Sequence, residues 1–138
     1  MQSAPEIRDA LVSLFAAMKR GDNEAITKML SSHEGMLAIG TAPGEWWTGI
    51  ATFAPVFERQ LKEAGGGFDV TPGDPVGFRS GDVGWAADRP RLALPDGSTL
   101  PFRFTAVFEL EAGAWKIVQW HASLDVGNEE SFGREFTA

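Results

Sequence analysis

The apolar residues of this chain change their spacing once, near the middle, and this change constrains the fold more than any other feature. Before Gly65 they recur at the three- and four-residue intervals of an amphipathic helix, whereas from Phe68 onward they alternate as in strands. No linker or repeat separates the two halves. The chain, residues 1–138, is therefore expected to form one α+β domain, with helices on one face of a curled antiparallel sheet.

Three helices are predicted in the first half. Ser3, with Glu6 three residues later, is typical of a capping box that begins the first helix, and Gly21 ends it. Asp22 is positioned to cap a short second helix. The third follows the Gly- and Trp-containing turn at 44–49.

The second half predicts a sheet, and its third long strand identifies the buried face. The expected strands are a short one at 36–39 and longer ones at 68–79, 83–93, 99–110 and 114–124. Every second residue from Phe102 to Phe108 is apolar, so this side is expected to lie under the helices. The opposite side would then face outward.

Two hairpin loops set the expected alignment of these strands. The segments 95–97 and 111–113 each fit a three-residue loop whose last residue is a glycine in the left-handed conformation. This alignment places Asp88, Phe104 and Trp120 in one row across the inner face. A two-residue turn in the first loop is the alternative, and it would move Asp88 to the other side relative to Phe104.

On the outer face the same alignment gathers three basic side chains, Arg89, Arg103 and His121, in one row. Large apolar residues are expected further along that face: Trp85, Val107, Trp115 and Ile117. Stacked cations need a negative partner, and a wide exposed apolar patch is unusual on a monomer. We therefore expect a homodimer through this face, with a small-anion site or a solvated face as the alternatives.

Composition excludes several classes of protein. Nineteen acidic against twelve basic residues leave a net charge of -7, which argues against a nucleic-acid partner. The absence of Cys excludes thiolate chemistry, and the distant His33 and His121 offer no metal-ligand spacing, so no metal or cofactor is predicted. His33 is expected in a surface or capping role. No apolar run approaches the roughly 20 residues of a membrane span, and no secretory signal is recognisable, so a cytoplasmic location is expected.

The order of these features resembles the nuclear transport factor 2-like superfamily, in its SnoaL-like and ketosteroid-isomerase-like branch. The resemblance covers about residues 4–124 and is carried by the Trp46-Trp47-Thr48-Gly49 turn, the strand residues 115–118 and the His121-x-Ser123 ending. It implies a cone in which the sheet wraps three helices and leaves an apolar pocket at its mouth. Such domains include cofactor-free isomerases, dehydratases and cyclases as well as non-catalytic assembly domains, so the fold alone does not settle the function.

A pocket for a small organic ligand is expected to be lined by aromatic side chains. These are Trp46, Trp47, Phe53, Phe57, Phe104 and Trp120. For Phe57 a place in the core is the favoured alternative. The polar tail at 125–138 has no predicted role in the pocket. Its acidic part, Asp125 to Glu130, and Glu109 are expected to supply the carboxylates that pair with the basic row in a symmetric dimer.

Asp88 is the predicted catalytic residue. Among aromatic rings, burial disfavours its ionised form, which suits a general acid or base beside a carbonyl. A surface turn or ion pair near the end of its strand is the alternative. The chain has no Tyr, so the usual oxyanion donor of ketosteroid isomerases is missing. The function expected is a pocket for a small ligand with cofactor-free acid–base chemistry, or else a non-catalytic binding or assembly domain.

Overall fold

The computed structural model of the protein describes residues 1–137; Ala138, the last residue of the polar tail, lies outside the described residues. The helices are α1 (Pro5–Arg20), α2 (Asn23–Met29), α3 (Ile50–Glu63) and α4 (Asn128–Phe132). None of these described helices has both the length and the apolar character needed to cross a membrane. The helices and a curled, open sheet confirm the predicted α+β class.

Nine strands lie within residues 1–137. They are β1 (Gln2–Ser3), β2 (Leu37–Ile39), β3 (Trp46–Thr48), β4 (Val70–Thr71), β5 (Val76–Ser80), β6 (Val83–Asp88), β7 (Arg91–Ala93), β8 (Thr99–Glu111) and β9 (Ala114–Leu124). The main sheet has the order β1-β5-β6-β8-β9-β2-β3, and β7 pairs with both β4 and β8. All pairs are antiparallel except β2 and β9, which run parallel, so the sheet is mixed.

The predicted capping box at the start of α1 is wrong. Ser3 lies in β1 and pairs with Phe78, and no side chain caps the helix. Pro5 occupies the first turn, where its missing N–H costs nothing. Glu6 instead accepts a hydrogen bond of 3.0 Å from Arg79 of β5. The start of α1 is thus tied to the sheet edge by tertiary contacts.

The other two helix signals are confirmed. Gly21 follows α1 with φ at 68°, a conformation that favours glycine. The Asp22 side chain accepts a hydrogen bond of 3.1 Å from the Ala25 N–H at the start of α2. Local chemistry was sufficient to predict both.

Prolines divide two of the predicted strands. The expected strand 68–79 becomes β4 and β5, because Pro72 and Pro75 flank the loop between them. The expected strand 83–93 becomes β6 and β7, separated at Arg89 and the buried Pro90. Proline has no N–H to donate to a strand ladder, so each break falls where that donor is missing.

The first hairpin has the predicted three-residue loop, and the second does not. The Leu94 N–H donates to Ser98 O at 2.8 Å, and Asp88 lies opposite Phe104 as expected. At the second hairpin Glu111 pairs with Ala114, which leaves the two-residue turn Ala112-Gly113 with φ of 50° and 82°. Two positive φ values describe a turn whose twist matches that of the flanking strands.

A β-bulge then displaces the pairing by one more residue, and this second step restores the predicted alternation of faces. Phe108 lies opposite Ile117, whereas Val107 lies opposite Gln119, so Val118 is the extra residue. Between the turn and the bulge β9 presents the reverse of the predicted faces: Ile117 is fully buried and Trp115 packs against the core, although both were expected outside. Beyond the bulge the inner face is again the predicted one.

The rows across the sheet are displaced accordingly. Trp120 faces inward but lies opposite Ala106. The partner of Phe104 is Ala122, so the predicted row of Asp88, Phe104 and Trp120 is wrong in its last member although all three lie on one face.

Helix α1 packs against β4, β5 and β6 and covers that part of the curled sheet, whereas the end between α3 and the strands β8 and β9 stays open. Its apolar stripe is buried against the inner face, where Phe15 meets Phe104 edge to face at 5.4 Å. A side-chain carbon at Gly84 would lie 2.2 Å from the Ile7 Cδ1 atom, so the glycine permits this close approach. The open end lies between α3 and the strands β8 and β9, and the cavity described next occupies it.

Candidate functional site

The open end of the sheet contains a cavity of about 440 Å³. Aromatic side chains form most of its wall: Trp47, Phe53, Phe57, Phe68, Phe102, Phe104 and Trp120. Binding sites for small molecules commonly have volumes of roughly 300–1,000 Å³, with apolar walls and a few polar groups. The cavity therefore has the size and lining of such a site.

Trp120 organises the aromatic wall. Its ring meets Phe53 and Phe57 edge to face with centroids 5.0 Å apart in both pairs, and Phe104 at 5.2 Å. Trp47 contacts Phe53 at 5.4 Å. The three edge-to-face contacts of Trp120 restrict the orientations of the rings that line the cavity.

Five of the six residues predicted for the pocket line this cavity, and Trp46 does not. The segment expected to be a turn is strand β3, in which successive side chains point to opposite sides. Trp47 therefore faces the cavity, while Trp46 is 62% exposed. Phe57 both belongs to the core and lines the cavity. Ligand binding by these residues stays a prediction.

Asp88 is buried on the inner face, yet it does not line the aromatic cavity. Its Oδ1 atom accepts hydrogen bonds from the N–H groups of Asp74 at 2.9 Å and Arg89 at 2.7 Å. Its Oδ2 atom accepts one from the Gly73 N–H at 2.9 Å. The loop between β4 and β5 thus covers the carboxylate and satisfies it. These three hydrogen bonds compensate the carboxylate for its burial, so a structural role accounts for its position. The catalytic role of Asp88 stays a prediction, and the aromatic cavity does not support it.

Glu45 is the carboxylate that sequence reasoning missed. It is half-buried and lines the cavity. Its Oε1 atom accepts a hydrogen bond from the Ala42 N–H at 2.7 Å, and Oε2 accepts one from Gln60 Nε2 at 3.0 Å. A side-chain carbon at Gly40 would lie 2.8 Å from Oε1, so the glycine makes room for this arrangement. The Gly-containing segment around Glu45 is typical of a solvated turn. Gly40 was the single signal in the sequence that another group could approach the backbone closely.

The outer basic row is also altered by the bulge. Arg103 lies opposite Ser123 and donates to its Oγ atom at 3.2 Å, whereas His121 lies opposite Thr105. Arg89 and Arg103 share a second depression, which Asp88 and Thr105 also line and His121 does not. Within residues 1–137 neither arginine forms an ion pair with a carboxylate. The depression therefore brings together Arg89 and Arg103, two of the three residues predicted for the basic row, and leaves out His121.

The structure brings together one group of potential metal ligands that spacing did not predict. Ligand atoms of His33, Glu109 and Glu111 lie within 4.8 Å of one another. Glu111 already accepts a hydrogen bond from the Ser31 Oγ atom at 2.6 Å and lies 3.6 Å from His33 Nε2. His33 is exposed at the exit of α2, as expected, and its N–H donates to Ser31.

Comparisons with known proteins agree on the architecture. The model of the SnoaL-like domain matches residues 7–127. No curated protein matches the chain. An NTF2-like protein of unknown function from Pseudomonas putida KT2440 is 17% identical with a TM-score of 0.77, covering 86% of this chain and 84% of that one.

Two further solved structures show the range of names attached to this fold. A candidate ketosteroid isomerase from Shewanella frigidimarina is 17% identical with a TM-score of 0.70, covering 83% of this chain and 92% of that one. A candidate association domain of calcium/calmodulin-dependent protein kinase II from Xanthomonas campestris is also 17% identical with a TM-score of 0.66, covering 91% and 97%. At such identities these likenesses show the fold alone.

Proposed function

This chain belongs to the SnoaL-like family of the nuclear transport factor 2-like superfamily, and from that premise we propose that its cavity binds a small, largely apolar organic molecule. The observation that carries the proposal is a cavity of about 440 Å³ whose wall is mostly aromatic. Burial of an apolar ligand against such rings is favourable because it removes apolar surface from water. No cofactor is part of the proposal.

The test is a fluorescence titration with N-phenyl-1-naphthylamine, an apolar probe that is neutral at pH 7. The wild-type protein is expected to bind it, and Trp47→Ala should weaken binding about tenfold, which corresponds to about 1.4 kcal/mol. Trp46→Ala is the matched control, because the neighbouring Trp points away from the cavity. Equal effects of the two substitutions, or no binding by the wild type, would contradict the proposal.

Acid–base turnover through Asp88 is not favoured by a specific observation. Its carboxylate is covered by the loop between β4 and β5 and holds three backbone N–H groups. A general base must reach the proton that it removes. Binding is therefore the function that the cavity supports best.

We also propose that two copies of the chain associate through the outer sheet face. An apolar outer patch is formed by Val76, Phe78, Val83, Trp85 and Val107. Trp85 is 37% exposed and stacks on Phe78 with centroids 5.1 Å apart. Beside this patch Arg89 and Arg103 lack a carboxylate partner within residues 1–137, and the acidic tail of a second copy would supply one.

Sedimentation velocity at micromolar concentration tests the association. The wild-type protein is expected at twice the chain mass of 14.9 kDa. Trp85→Lys should produce the monomer, because it places a charge in the apolar patch. Trp46→Lys changes another exposed Trp away from the patch and should leave the dimer intact. A wild-type monomer would overturn this proposal.

A further inference from the structure

We infer that the ligand of the aromatic cavity carries a positively charged nitrogen, so that the site takes an organic amine with an apolar body. This inference rests on the proposed binding function and adds the chemical class of the ligand. It is carried by the charged and aromatic groups that share the cavity.

The first observation is the sign of the charges along the cavity. Glu45 and Glu63 line it together with the polar side chains of Thr41 and Gln60. No Lys, Arg or His is among the described residues that line it. A carboxylate or phosphate ligand would therefore meet two negative groups with no cation to pair with. The cavity accordingly disfavours anions.

The second observation is that the negative charge of Glu45 is held in place and left unpaired. Its two oxygens each accept one hydrogen bond, from the Ala42 N–H and from Gln60 Nε2. Both donors are neutral, and no ion pair among residues 1–137 includes Glu45 or Glu63. An ionised carboxyl group offers about four acceptor positions. Acceptor capacity and charge thus remain for a donor from the ligand.

The third observation is the aromatic wall beside this carboxylate. Trp47 follows Glu45 by two residues and lines the same cavity, and it contacts the ring of Phe53 at 5.4 Å. The face of an aromatic ring attracts a cation, and Trp does so most strongly. A neutral ligand would use the apolar wall and could donate a hydrogen bond to Glu45, but it would lack the attraction between opposite charges. An ammonium group would gain from both the carboxylate and the rings.

Calorimetric titration of three probes with one carbon skeleton separates these cases: 4-phenylbutylamine, 4-phenyl-1-butanol and 4-phenylbutyrate. At pH 7 they are cationic, neutral and anionic. The amine is expected to bind about tenfold more tightly than the alcohol, a difference of about 1.4 kcal/mol. The carboxylate should bind most weakly.

Glu45→Gln should remove the preference for the amine, so that the amine and the alcohol bind with similar affinity. Urea denaturation of the variant, compared with wild type, checks that it is folded. Glu58→Gln is the matched control, because Glu58 lies on α3 outside the cavity. Equal affinities of the amine and the alcohol in the wild type, or an amine preference that survives Glu45→Gln, would overturn the inference and leave the apolar binding function intact. Absence of binding by all three probes would overturn both.

Discussion

The loop that covers Asp88 and the hairpin that carries Glu45 both hold a carboxylate through neutral donors, but they leave it different capacities. Asp88 is 6% exposed and accepts three backbone N–H groups. Glu45 accepts one backbone N–H and one side-chain amide and lines a cavity. Burial alone therefore does not identify a reactive carboxylate. The acceptor positions that remain free, and the space that they face, decide what the group can do.

Gly73 lies beside Asp88 and Gly40 lies beside Glu45, and the two glycines differ in the atoms that surround them. A side-chain carbon at Gly73 would lie 2.4 Å from the backbone oxygen of Arg89. At Gly40 the three nearest atoms all belong to the side chain of Glu45, the first at 2.8 Å. At Gly73 the closest atom is backbone, which cannot move aside without disturbing the sheet. At Gly40 the carboxyl end of Glu45 can rotate away, and only its Cβ, at 2.9 Å, needs a small backbone shift. The Asp88 region is therefore the more rigid of the two.

The largest effect is expected from Asp88→Ala. Three N–H groups would lose a charged acceptor, and the free energy of unfolding should fall by about 2–4 kcal/mol. Denaturation with urea measures this change. Asp74→Ala is the control, because it keeps the backbone N–H that binds Asp88 and should change stability by no more than about 0.5 kcal/mol. If the two substitutions had equal small effects, the structural role assigned to Asp88 would be wrong.

The next largest effect is expected from substituting the two glycines, Gly73 and Gly40. Gly73→Ala should lower the free energy of unfolding by about 1–3 kcal/mol, because the added methyl group meets backbone. Gly40→Ala should cost less stability but should weaken binding of 4-phenylbutylamine, because Glu45 is displaced. Urea denaturation and calorimetric titration of both variants check this. A reversed pattern, with binding lost at Gly73 and stability lost at Gly40, would contradict the comparison.

The smallest effect is expected at Asp22, a carboxylate whose hydrogen-bond partners belong to neither region. The hydrogen bond from the Ala25 N–H, assisted by Arg20, lowers the pKa of Asp22 in the folded protein. Its contribution to stability is therefore present above the pKa of the unfolded chain and is lost as the pH falls through the lowered folded value. Asp22→Ala should lower the thermal midpoint slightly at pH 7, and the difference from wild type should vanish in acid. Asp22→Asn keeps the capping oxygen and should retain most of the midpoint at pH 7.

Local patterns were sufficient to predict α1, α2, α3 and the first hairpin, but not the way α1 begins or the short helix α4. The stop at Gly21 and the cap at Asp22 involve neighbours in sequence, so their chemistry can be read directly. The second hairpin was predicted wrongly because Glu111-Ala112-Gly113 accommodates a two-residue turn as readily as a three-residue loop. The compensating bulge at Val118 has no signature in an alternating apolar strand.

The residues of the aromatic cavity likewise divide into those that local sequence predicted and those that depend on tertiary structure. Phe53 and Phe57 were predicted from their helical spacing, whereas Trp46 was placed in the pocket because its strand had been interpreted as a turn. Glu45 went unnoticed because its partner Gln60 lies fifteen residues away on α3.

The amino-acid sequence by itself determined the order of the helices and the inner face of β8, because side-chain periodicity is a local property of the backbone. Tertiary structure alone decided which carboxylate would face the cavity. The carboxylate of Asp88 is held by a loop whose Gly73 lies fifteen residues earlier, and Glu45 is presented by a hairpin that folds against α3. Hydrogen bonds between segments distant in sequence leave no periodic trace, so their consequences appear only when the chain is folded.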